Sequence, residues 1–403
     1  MENRNWKEYK FEEIMTITSS KRIFYEEYVQ SGVPFYRSKE IIDLFNRREI
    51  QTELFISEKR FDEIKNKFGV PRKDDILLTS VGSLGIPYLV KESDRFYFKD
   101  GNLTWLKDID SNILHPVFIY KWITSQIGRQ KLEEISIGST QAALTISALK
   151  SIDIQLPPLP EQKAIASVLS SLDDKIDLLH QQNQTLEAFA ETLYLNFIDE
   201  REFNSKLSDI FSLQNGYAFK SKSFKESGTI RVIKIKNISG DIVDITNSDF
   251  VDDESIKKLD FKFKINSGDI LIAMTGAEVG KLGIVPETDQ SLWLNQRVGL
   301  LKEKFEGAKY LAYLHLKSDF GQDYIENTAT GSAQPNISGE GIENCEFPLY
   351  EETELREICN KLSPLYDKVI FNLGQIHTLT QMRDTLLPKL MSGEVRVEMQ
   401  SQN

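Results

Sequence analysis

The chain repeats itself, and the two copies lie 193 residues apart in the sequence. Gly138-Ser139-Thr140-Gln141 returns as Gly331-Ser332-Ala333-Gln334, and Asp174-Lys175-Ile176 returns as Asp367-Lys368-Val369. Solenoid and propeller repeats are roughly 20 to 50 residues long. A unit as long as this one is instead large enough to be a domain with its own core and an appended helix.

The repeat predicts how the 403 residues are divided. We expect a strand-rich domain of mixed α/β class over residues 1–157 and a second one over 201–350. A long helix follows each domain, over 158–200 and over 351–393, and a flexible C-terminal tail covers 394–403.

The net charge of −12 is concentrated on one of these helices. Residues 158–200 contain Lys163 and Lys175 against eight acidic side chains, so half of the net charge lies there. A helix this acidic would be repelled by DNA and suits a protein partner, whereas the nearly neutral domains are able to present a basic face locally.

Neither a membrane location nor secretion is predicted. The sequence has no run of about 18 apolar residues and its first ten residues are charged, so we expect a cytoplasmic protein. The two cysteines, Cys345 and Cys359, have no cysteine or histidine at metal-ligand spacing, and neither a disulfide framework nor a metal site is predicted.

Both helical segments carry apolar residues at alternating spacings of four and three, which is the heptad pattern of a coiled coil. The predicted seam of the first copy is Ile165, Leu169, Leu172, Ile176, Leu179, Asn183 and Leu186. That of the second is Ile358, Leu362, Leu365, Val369, Asn372, Ile376 and Leu379. The nearest partner for each helix is the other copy, so we expect an intramolecular antiparallel coiled coil with pseudo-twofold symmetry. The two domains would then lie at opposite ends of a rod ~50 Å long.

Each predicted seam contains one asparagine, Asn183 or Asn372. A buried asparagine in such a seam fixes the register of the two helices at some cost in stability. The alternative, that each asparagine lies near solvent, fits the sequence equally well.

No catalytic motif is found in the sequence. Gly276-Ala277-Glu278-Val279-Gly280-Lys281 follows a strand-like run, but a phosphate-binding loop needs four residues between its glycines and Ser or Thr after the lysine. Here three residues intervene and Leu282 follows. Asp75 and Asp269, which precede matching β-like runs, fit turn or cap residues better than acid/base groups.

The chain resembles one family over essentially its whole length, the specificity subunits of Type I restriction-modification systems. The phrase from Ile154 to Ile165 looks like the start of that family's first spacer helix, and the phrase from Leu386 to Val395 looks like the close of its second. Inside the domains, residues 32–37, 268–271 and 294–299 also look like the family. One departure is the start of the second helix, which lacks the fuller Leu-Pro-Pro-Leu-Pro-Glu-Gln of the first. Members of the family dock two methyltransferase subunits, and this departure puts the full equivalence of the two docking sites in doubt.

The resemblance implies a non-catalytic subunit whose two target-recognition domains bind the halves of a bipartite, asymmetric DNA site. It also implies protein partners, namely two copies of a DNA methyltransferase subunit together with restriction subunits. S-adenosylmethionine, ATP and Mg would bind to those partners, and no cofactor is expected on this chain. The competing hypothesis is a coiled-coil adaptor with two protein-binding domains, which predicts no affinity for DNA.

Specific DNA contacts come from cationic, amide and hydroxyl side chains on loops, which favours the polar residues around the glycine loops and the basic segments. The contacts predicted in the first domain are Lys21, Arg22, Arg37, Lys39, Ser80, Ser83, Ser139 and Gln141. Those predicted as their equivalents in the second are Lys220, Lys222, Lys234, Lys236, Thr275, Glu278, Arg297, Ser332, Gln334 and Asn336. For each of them the alternative interpretation is a solvated charge or a turn residue.

Overall fold

The computed structural model describes residues 5–48, 50–136, 142–331 and 334–397. The chain divides into two compact units: unit 1 comprises residues 1–174 and 381–403, and unit 2 comprises residues 175–380. The division predicted from the sequence kept each long helix as one segment, whereas these units share both helices.

Unit 1 is built from short strands and short helices. Its strands are β1 (Lys7–Lys10), β2 (Thr16–Thr18), β3 (Tyr28–Val29), β4 (Val33–Tyr36), β5 (Phe55–Ile56), β6 (Ile76–Thr79), β7 (Pro87–Leu89), β8 (Tyr97–Phe98), β9 (Leu103–Lys107) and β10 (Asp153–Leu156). Its helices are α1 (Phe11–Ile14), α2 (Ser38–Phe45), α3 (Glu58–Lys67), α4 (Pro116–Thr124), α5 (Gln126–Glu134) and α6 (Ile146–Lys150). A long helix, α7 (Leu159–Ile198), begins in unit 1 and ends in unit 2.

The strands of unit 1 form two four-stranded sheets and one pair. The first sheet is antiparallel in the order β2-β9-β6-β7, with Leu77 opposite Trp105. The second has the order β3-β5-β4-β8 and contains a parallel pair that aligns Phe35 with Tyr97. Strands β1 and β10 pair antiparallel, with Tyr9 opposite Ile154. Every residue of β6 is buried, which fits its three consecutive apolar residues, Ile76 to Leu78.

Unit 2 has the same plan with more strands. They are β11 (Ser205–Lys206), β12 (Phe211–Asn215), β13 (Phe224–Lys225), β14 (Ile230–Ile233), β15 (Ile238–Ser239), β16 (Asp241–Val243), β17 (Asp249–Val251), β18 (Lys264–Ile265), β19 (Ile270–Ala273), β20 (Leu282–Ile284), β21 (Ser291–Leu294), β22 (Val298–Glu303) and β23 (Glu346–Phe347). Its short helices are α8 (Ala308–Lys317), α9 (Asp319–Thr328) and α10 (Gly339–Glu343). A second long helix, α11 (Glu352–Ser392), begins in unit 2 and ends in unit 1.

Two larger sheets carry unit 2. One has the order β12-β22-β19-β20-β16-β15, and the other has the order β13-β17-β14-β21-β18. Strand β19 lies between β20 and β22 and is buried throughout, like β6 in unit 1. The expectation of mixed α/β domains is confirmed.

The long helices run antiparallel, and contacts within each unit establish this. In unit 1 the early residues Ile165 and Leu169 of α7 share a core cluster with the late residue Leu390 of α11. In unit 2 the late residue Tyr194 of α7 shares a cluster with the early residue Leu362 of α11. The predicted intramolecular antiparallel coiled coil is therefore confirmed.

The predicted seam residues are buried or half-buried in both helices. Asn183 and Asn372 are 5% and 0% exposed, so neither lies near solvent. Asn372 Nδ2 donates to Asn183 Oδ1 over 2.8 Å, within unit 2. Because one hydrogen bond joins two buried amides, Asn183 Nδ2 and Asn372 Oδ1 have no partner within the described residues.

The two units hold the long helices with different chemistry at matching positions. In unit 1, Asp173 accepts hydrogen bonds from Lys121 of α4 and from Arg383 of α11, the latter over 3.0 Å. Burial alone would raise the pKa of Asp173, but these two cations outweigh it and lower the pKa. The residue 193 positions later in the repeat is Tyr366, which is buried in unit 2 and stacks on Tyr310 with ring centroids 4.6 Å apart.

Unit 2 also holds α7 through a buried histidine. His315 of α8 is fully buried between the hydroxyl of Tyr194, 2.9 Å from Nδ1, and the carbonyl of Glu346, 2.8 Å from Nε2. Burial lowers the pKa of His315 to about 4, so the ring is neutral at neutral pH.

The last described residues of the chain pack on unit 1. Val397 packs against its core cluster, and Arg396 Nε lies 4.0 Å from Glu161 Oε1. The remainder of the predicted flexible tail, residues 398–403, lies outside the described residues.

Candidate nucleic-acid interface

In unit 2 four loops are joined by backbone hydrogen bonds. Met274 N donates to Arg297 O over 3.1 Å, Ile337 N donates to Met274 O over 3.0 Å, and Gln296 N donates to Tyr217 O over 2.9 Å. The loop after β19 thus contacts both the turn before β22 and the turn before α10, and the turn before β22 contacts the segment after β12. We call the segments 215–219, 274–281, 294–298, 330–331 and 334–338 the loop cluster of unit 2.

The two hydrogen bonds of Met274 recur at Ser80 in unit 1, at offsets of 193 to 195 residues. Ser80 N donates to Asn102 O over 2.8 Å, as Met274 does to Arg297, and Leu144 N donates to Ser80 O over 2.9 Å, as Ile337 does to Met274. We call the segments 79–86, 99–103 and 142–145 the loop cluster of unit 1. The repeat in the sequence therefore preserves a set of loop contacts as well as a core.

Local chemistry explains why the first loop of each cluster turns where it does. Gly82 and Gly276 have φ values of +79° and +81°, in the left-handed region that favours glycine. A carboxylate directly precedes the strand before each loop, buried in unit 1 and half-buried in unit 2: Asp75 Oδ2 accepts from Arg72 N over 2.9 Å, and Asp269 Oδ2 accepts from Asn266 N over 2.8 Å. Burial raises the pKa of both aspartates. They cap turns, as the sequence indicated.

Several predicted contact residues meet in the loop cluster of unit 2. Arg297, Gln334 and Asn336 are exposed, and Arg297 makes no ion pair within the described residues. Thr275 forms a β-bridge with Asn336, and its Oγ1 is buried with no hydrogen-bond partner in the part of the chain that the structure describes. Glu278 is paired with Lys281 three residues later. Arg297 is thus the cation of this cluster that is available to a ligand.

The loop cluster of unit 1 contains fewer of the predicted residues. Ser83 is exposed at its tip. Ser80 is 3% exposed, and its hydroxyl is hydrogen-bonded to Thr104 Oγ1 over 2.6 Å. The prediction that Ser80 contacts DNA was therefore wrong. The predicted contacts Ser139, Gln141 and Ser332 lie outside the described residues.

A second group of predicted contacts is engaged in ion pairs at the start of matching turns. Arg37 Nη2 lies 2.8 Å from Oε1 of Glu40, which is 1% exposed. Burial alone would raise the pKa of Glu40, but its hydrogen bonds with Arg37 lower it. In unit 2, Lys234 and Lys236 both contact Asp249, at 2.5 and 2.7 Å. These three cations are therefore partly neutralised.

Lys39 stands apart from that group because it is exposed and makes no ion pair within the described ranges. It occupies the second position of α2, beside the neutralised Arg37. It remains available to a phosphate.

The third group precedes the first hairpin of each unit. Arg22 Nε lies 2.8 Å from Asp100 Oδ2, and Lys21 Nζ lies 5.3 Å from the centroid of the Phe68 ring. Lys220 and Lys222 are exposed. Because β3 and β13 begin 196 residues apart, at Tyr28 and Phe224, Lys220 corresponds to Phe24 rather than to Lys21. The expected one-to-one equivalence of these lysines was wrong, since the loops differ in length.

Sequence reasoning missed other exposed groups at these clusters. Asn102 occupies the position of Arg297 in unit 1, and Gln296 and Tyr217 belong to the cluster of unit 2. None of them has a local spacing signal, because backbone contacts between distant loops bring them there. The sequence points to these positions only through the alignment of its two copies, which places Asn102 opposite Arg297.

Two further observations limit what this chain contains. No helix among the described residues is long and apolar enough to cross a membrane. In the same described ranges, no group of three or more His, Cys, Asp or Glu side chains is placed to hold a metal ion.

Comparison with known proteins identifies relatives of the whole chain. The family model described as "Type I restriction modification DNA specificity domain" matches residues 3–188 and again residues 200–381. The chain is 27% identical to the Type I restriction enzyme MjaIX specificity subunit of Methanocaldococcus jannaschii over 398 residues, covering 93% of this chain and 89% of the relative. It is 24% identical to the EcoKI specificity subunit of Escherichia coli K12 over 318 residues, covering 71% of this chain and 67% of the relative.

A solved structure has the same fold. The S subunit of a Type I restriction-modification system from M. genitalium superposes with a TM-score of 0.64 at 19% identity, covering 99% of both chains. At this level of identity the likeness concerns the fold alone.

Proposed function

Since the chain belongs to the family of Type I restriction-modification DNA specificity domains, we propose that it is the DNA sequence-specificity subunit of a Type I restriction-modification enzyme. Its two matched domains bind the two halves of a bipartite DNA site. The observation that carries this proposal is the double match together with the loop clusters, in which the two backbone hydrogen bonds of Met274 recur at Ser80.

The two loop clusters support an asymmetric site. Their backbone contacts are shared, but the side chains differ: Arg297 stands where unit 1 has Asn102, and Thr275 stands where unit 1 has Val81. Arginine pairs best with guanine O6 and N7, whereas asparagine pairs best with adenine N6 and N7. Two domains with one frame and different polar groups would therefore read different bases.

The long helices support two copies of one protein partner. On α7 an exposed stripe at heptad spacing lies off the seam, and the residues 193 positions later on α11 repeat its character, one of them half-buried. The matching pairs are Lys175 and Lys368, Leu178 and Phe371, Gln182 and Gln375, Thr185 and Thr378, Phe189 and Met382, and Thr192 and Thr385. Exposed residues have no folding reason to be kept in two diverged copies, so one partner surface that docks twice is the simplest cause.

We place the chemistry on the partner subunits. Two methyltransferase subunits would use S-adenosylmethionine, and restriction subunits would use ATP and Mg, with this chain choosing the DNA site. The adaptor hypothesis, with two protein-binding domains and no DNA contact, is less well supported because the family described by its DNA specificity matches both domains.

The test is to map methylated positions in DNA exposed to the assembled methyltransferase complex. Arg297→Ala should relax the sequence requirement at one position of one half-site and weaken binding roughly 5- to 160-fold, as the loss of about 1–3 kcal/mol from a bidentate base contact requires. Asn102→Ala is the matched variant in unit 1 and should relax the other half-site. Methyl transfer by the isolated chain, or an assembled complex that does not bind DNA, would contradict the proposal.

A further inference from the structure

Unit 2 exposes a large apolar ring that its own fold does not use. Phe261 is 78% exposed. Among the large apolar residues that the structure describes, only Tyr25, at 84%, is more exposed. Phe261 begins a short turn, Phe261–Phe263, whose first backbone groups are capped by the side chain of Asp260. The cap orders the turn and so fixes the backbone from which the ring projects.

This turn is continuous with the loop cluster of unit 2. The next residues pair with β21, Lys264 opposite Trp293, and β21 leads directly into Asn295, Gln296 and Arg297. The Phe261 ring lies 6.4 Å from the Trp293 ring between centroids. Two residues on, the Phe263 ring lies 5.6 Å from that of Tyr217.

Two exposed lysines flank the exposed ring in the sequence. Lys258 and Lys262 are exposed on either side of Phe261 in the sequence. Lys262 lies 3.9 Å from Asp260, an exposed pair that neutralises it weakly, and Lys258 makes no ion pair within the described residues. An apolar group with a basic border matches DNA, whose phosphates flank base edges that include the thymine methyl.

Unit 1 has the same combination on a different backbone. Phe68 is 50% exposed at the end of α3 and lies seven residues before the capping Asp75, as Phe261 lies eight residues before Asp269. Lys65 and Lys67 occupy the last turn of α3, and Lys21 lies over the ring. A helix in one unit and a short turn in the other thus present an exposed phenylalanine among lysines at the same place in the repeat.

We infer that Phe261 and Phe68 contact DNA, each ring lying against base edges next to its loop cluster while the neighbouring lysines contact phosphate. The inference rests on the proposed DNA-binding function and adds an apolar contact to the polar ones. Apolar side chains at such positions either cover the thymine methyl or enter between base steps. In both cases the energy comes from removing the ring from water and not from charge.

The assembled complex carrying Phe261→Ala tests this inference by its DNA affinity over a range of salt concentrations. We expect binding about 5- to 20-fold weaker with an unchanged slope of log affinity against log salt, because no cation is lost. Lys262→Ala should instead reduce that slope by about 1. Phe261→Leu, which retains an apolar group, should recover most of the affinity.

Phe320→Ala is the control, since Phe320 is also a partly exposed phenylalanine of unit 2 but packs on Phe203 and His315. DNA affinity of Phe261→Ala within twofold of wild type, or a loss equal to that of Phe320→Ala, would overturn the inference. So would normal DNA affinity combined with weaker binding of the methyltransferase subunits, because the ring would then dock a protein. Failure of the wild-type complex to bind DNA would instead contradict the proposed function.

Discussion

The ion cluster at Asp173 predicts that the stability of unit 1 depends strongly on one carboxylate. Asp173 is 18% exposed as a side chain and contacts Lys121, which is 11% exposed, and Arg383, which is 26% exposed. Arg47 Nη2 also lies 3.7 Å away. In Asp173→Asn the shape is kept but up to three cations lose their common anion.

The expected cost follows from how far these cations are removed from water. Breaking a fully buried pair costs about 3–5 kcal/mol because a charge is left unpaired. Partial exposure of Arg383 and Arg47 allows water to solvate them, so we expect roughly 2–3 kcal/mol for Asp173→Asn. The loss should fall on unit 1 and leave unit 2 unchanged, since the matching node there is the stacked pair of Tyr310 and Tyr366.

Denaturant unfolding followed by tryptophan fluorescence separates the two units. Trp105 and Trp122 are buried in unit 1 and Trp293 in unit 2, so the background variant Trp293→Phe reports on unit 1. Asp384→Asn is the matched control, because Asp384 also pairs with Arg383 but is 59% exposed. A free energy of unfolding equal for Asp173→Asn and Asp384→Asn would refute the reasoning that burial gives the cluster its weight.

Two further predictions concern unit 2. His315 has a pKa of about 4 in the folded chain against the ordinary 6.5, so the unfolded chain binds the proton first, and stability should fall by up to ~3 kcal/mol as the pH drops from 6.5 to 4. Unfolding measured against pH should show a smaller slope in His315→Gln than in the wild type, the remainder coming from His115 and His377, whose pKa values burial also lowers; an equal slope in both would contradict it. Replacing Asn183 and Asn372 together by leucine should raise the melting temperature, because two unpaired buried amide groups disappear. Asn183→Leu alone should instead lower the free energy of unfolding by about 1–3 kcal/mol, because the buried Asn372 amide loses its hydrogen bond to Asn183. Thermal unfolding of the single and double variants measures both, and a double variant less stable than the single one would contradict this account.

Much of the frame was predictable because its signals are local. Heptad spacing in α7 and α11 depends on residues three and four apart, and the predicted start at Leu156-Pro157-Pro158 precedes a helix that begins at Leu159. The caps at Asp75 and Asp269 were recognisable from their place before an apolar run. The pairing of Arg37 with Glu40 is local too, since it joins residues three positions apart. The sequence nevertheless predicts Arg37 as a DNA contact.

The candidate site was harder to predict because it depends on contacts between distant residues. Ser80 looked available beside a glycine loop, yet the strand pairing of β6 with β9 places its hydroxyl against Thr104. Lys220 and Lys222 looked like the copies of Lys21 and Arg22, yet strand register moves them by several positions. A one-residue change in loop length shifts such side chains without leaving any trace in periodicity.

By itself, the sequence determined that the chain contains two related domains and two seam helices, because duplication and heptad spacing are properties of residue order. Only the tertiary structure decided which loops meet, which cations are already neutralised and which rings stay in water. Backbone hydrogen bonds join Met274 to Arg297 and to Ile337, which lie 23 and 63 residues further along the chain, and join Tyr217 to Gln296, 79 residues away. Those bonds form only after strands of distant segments have paired, so no local pattern encodes them.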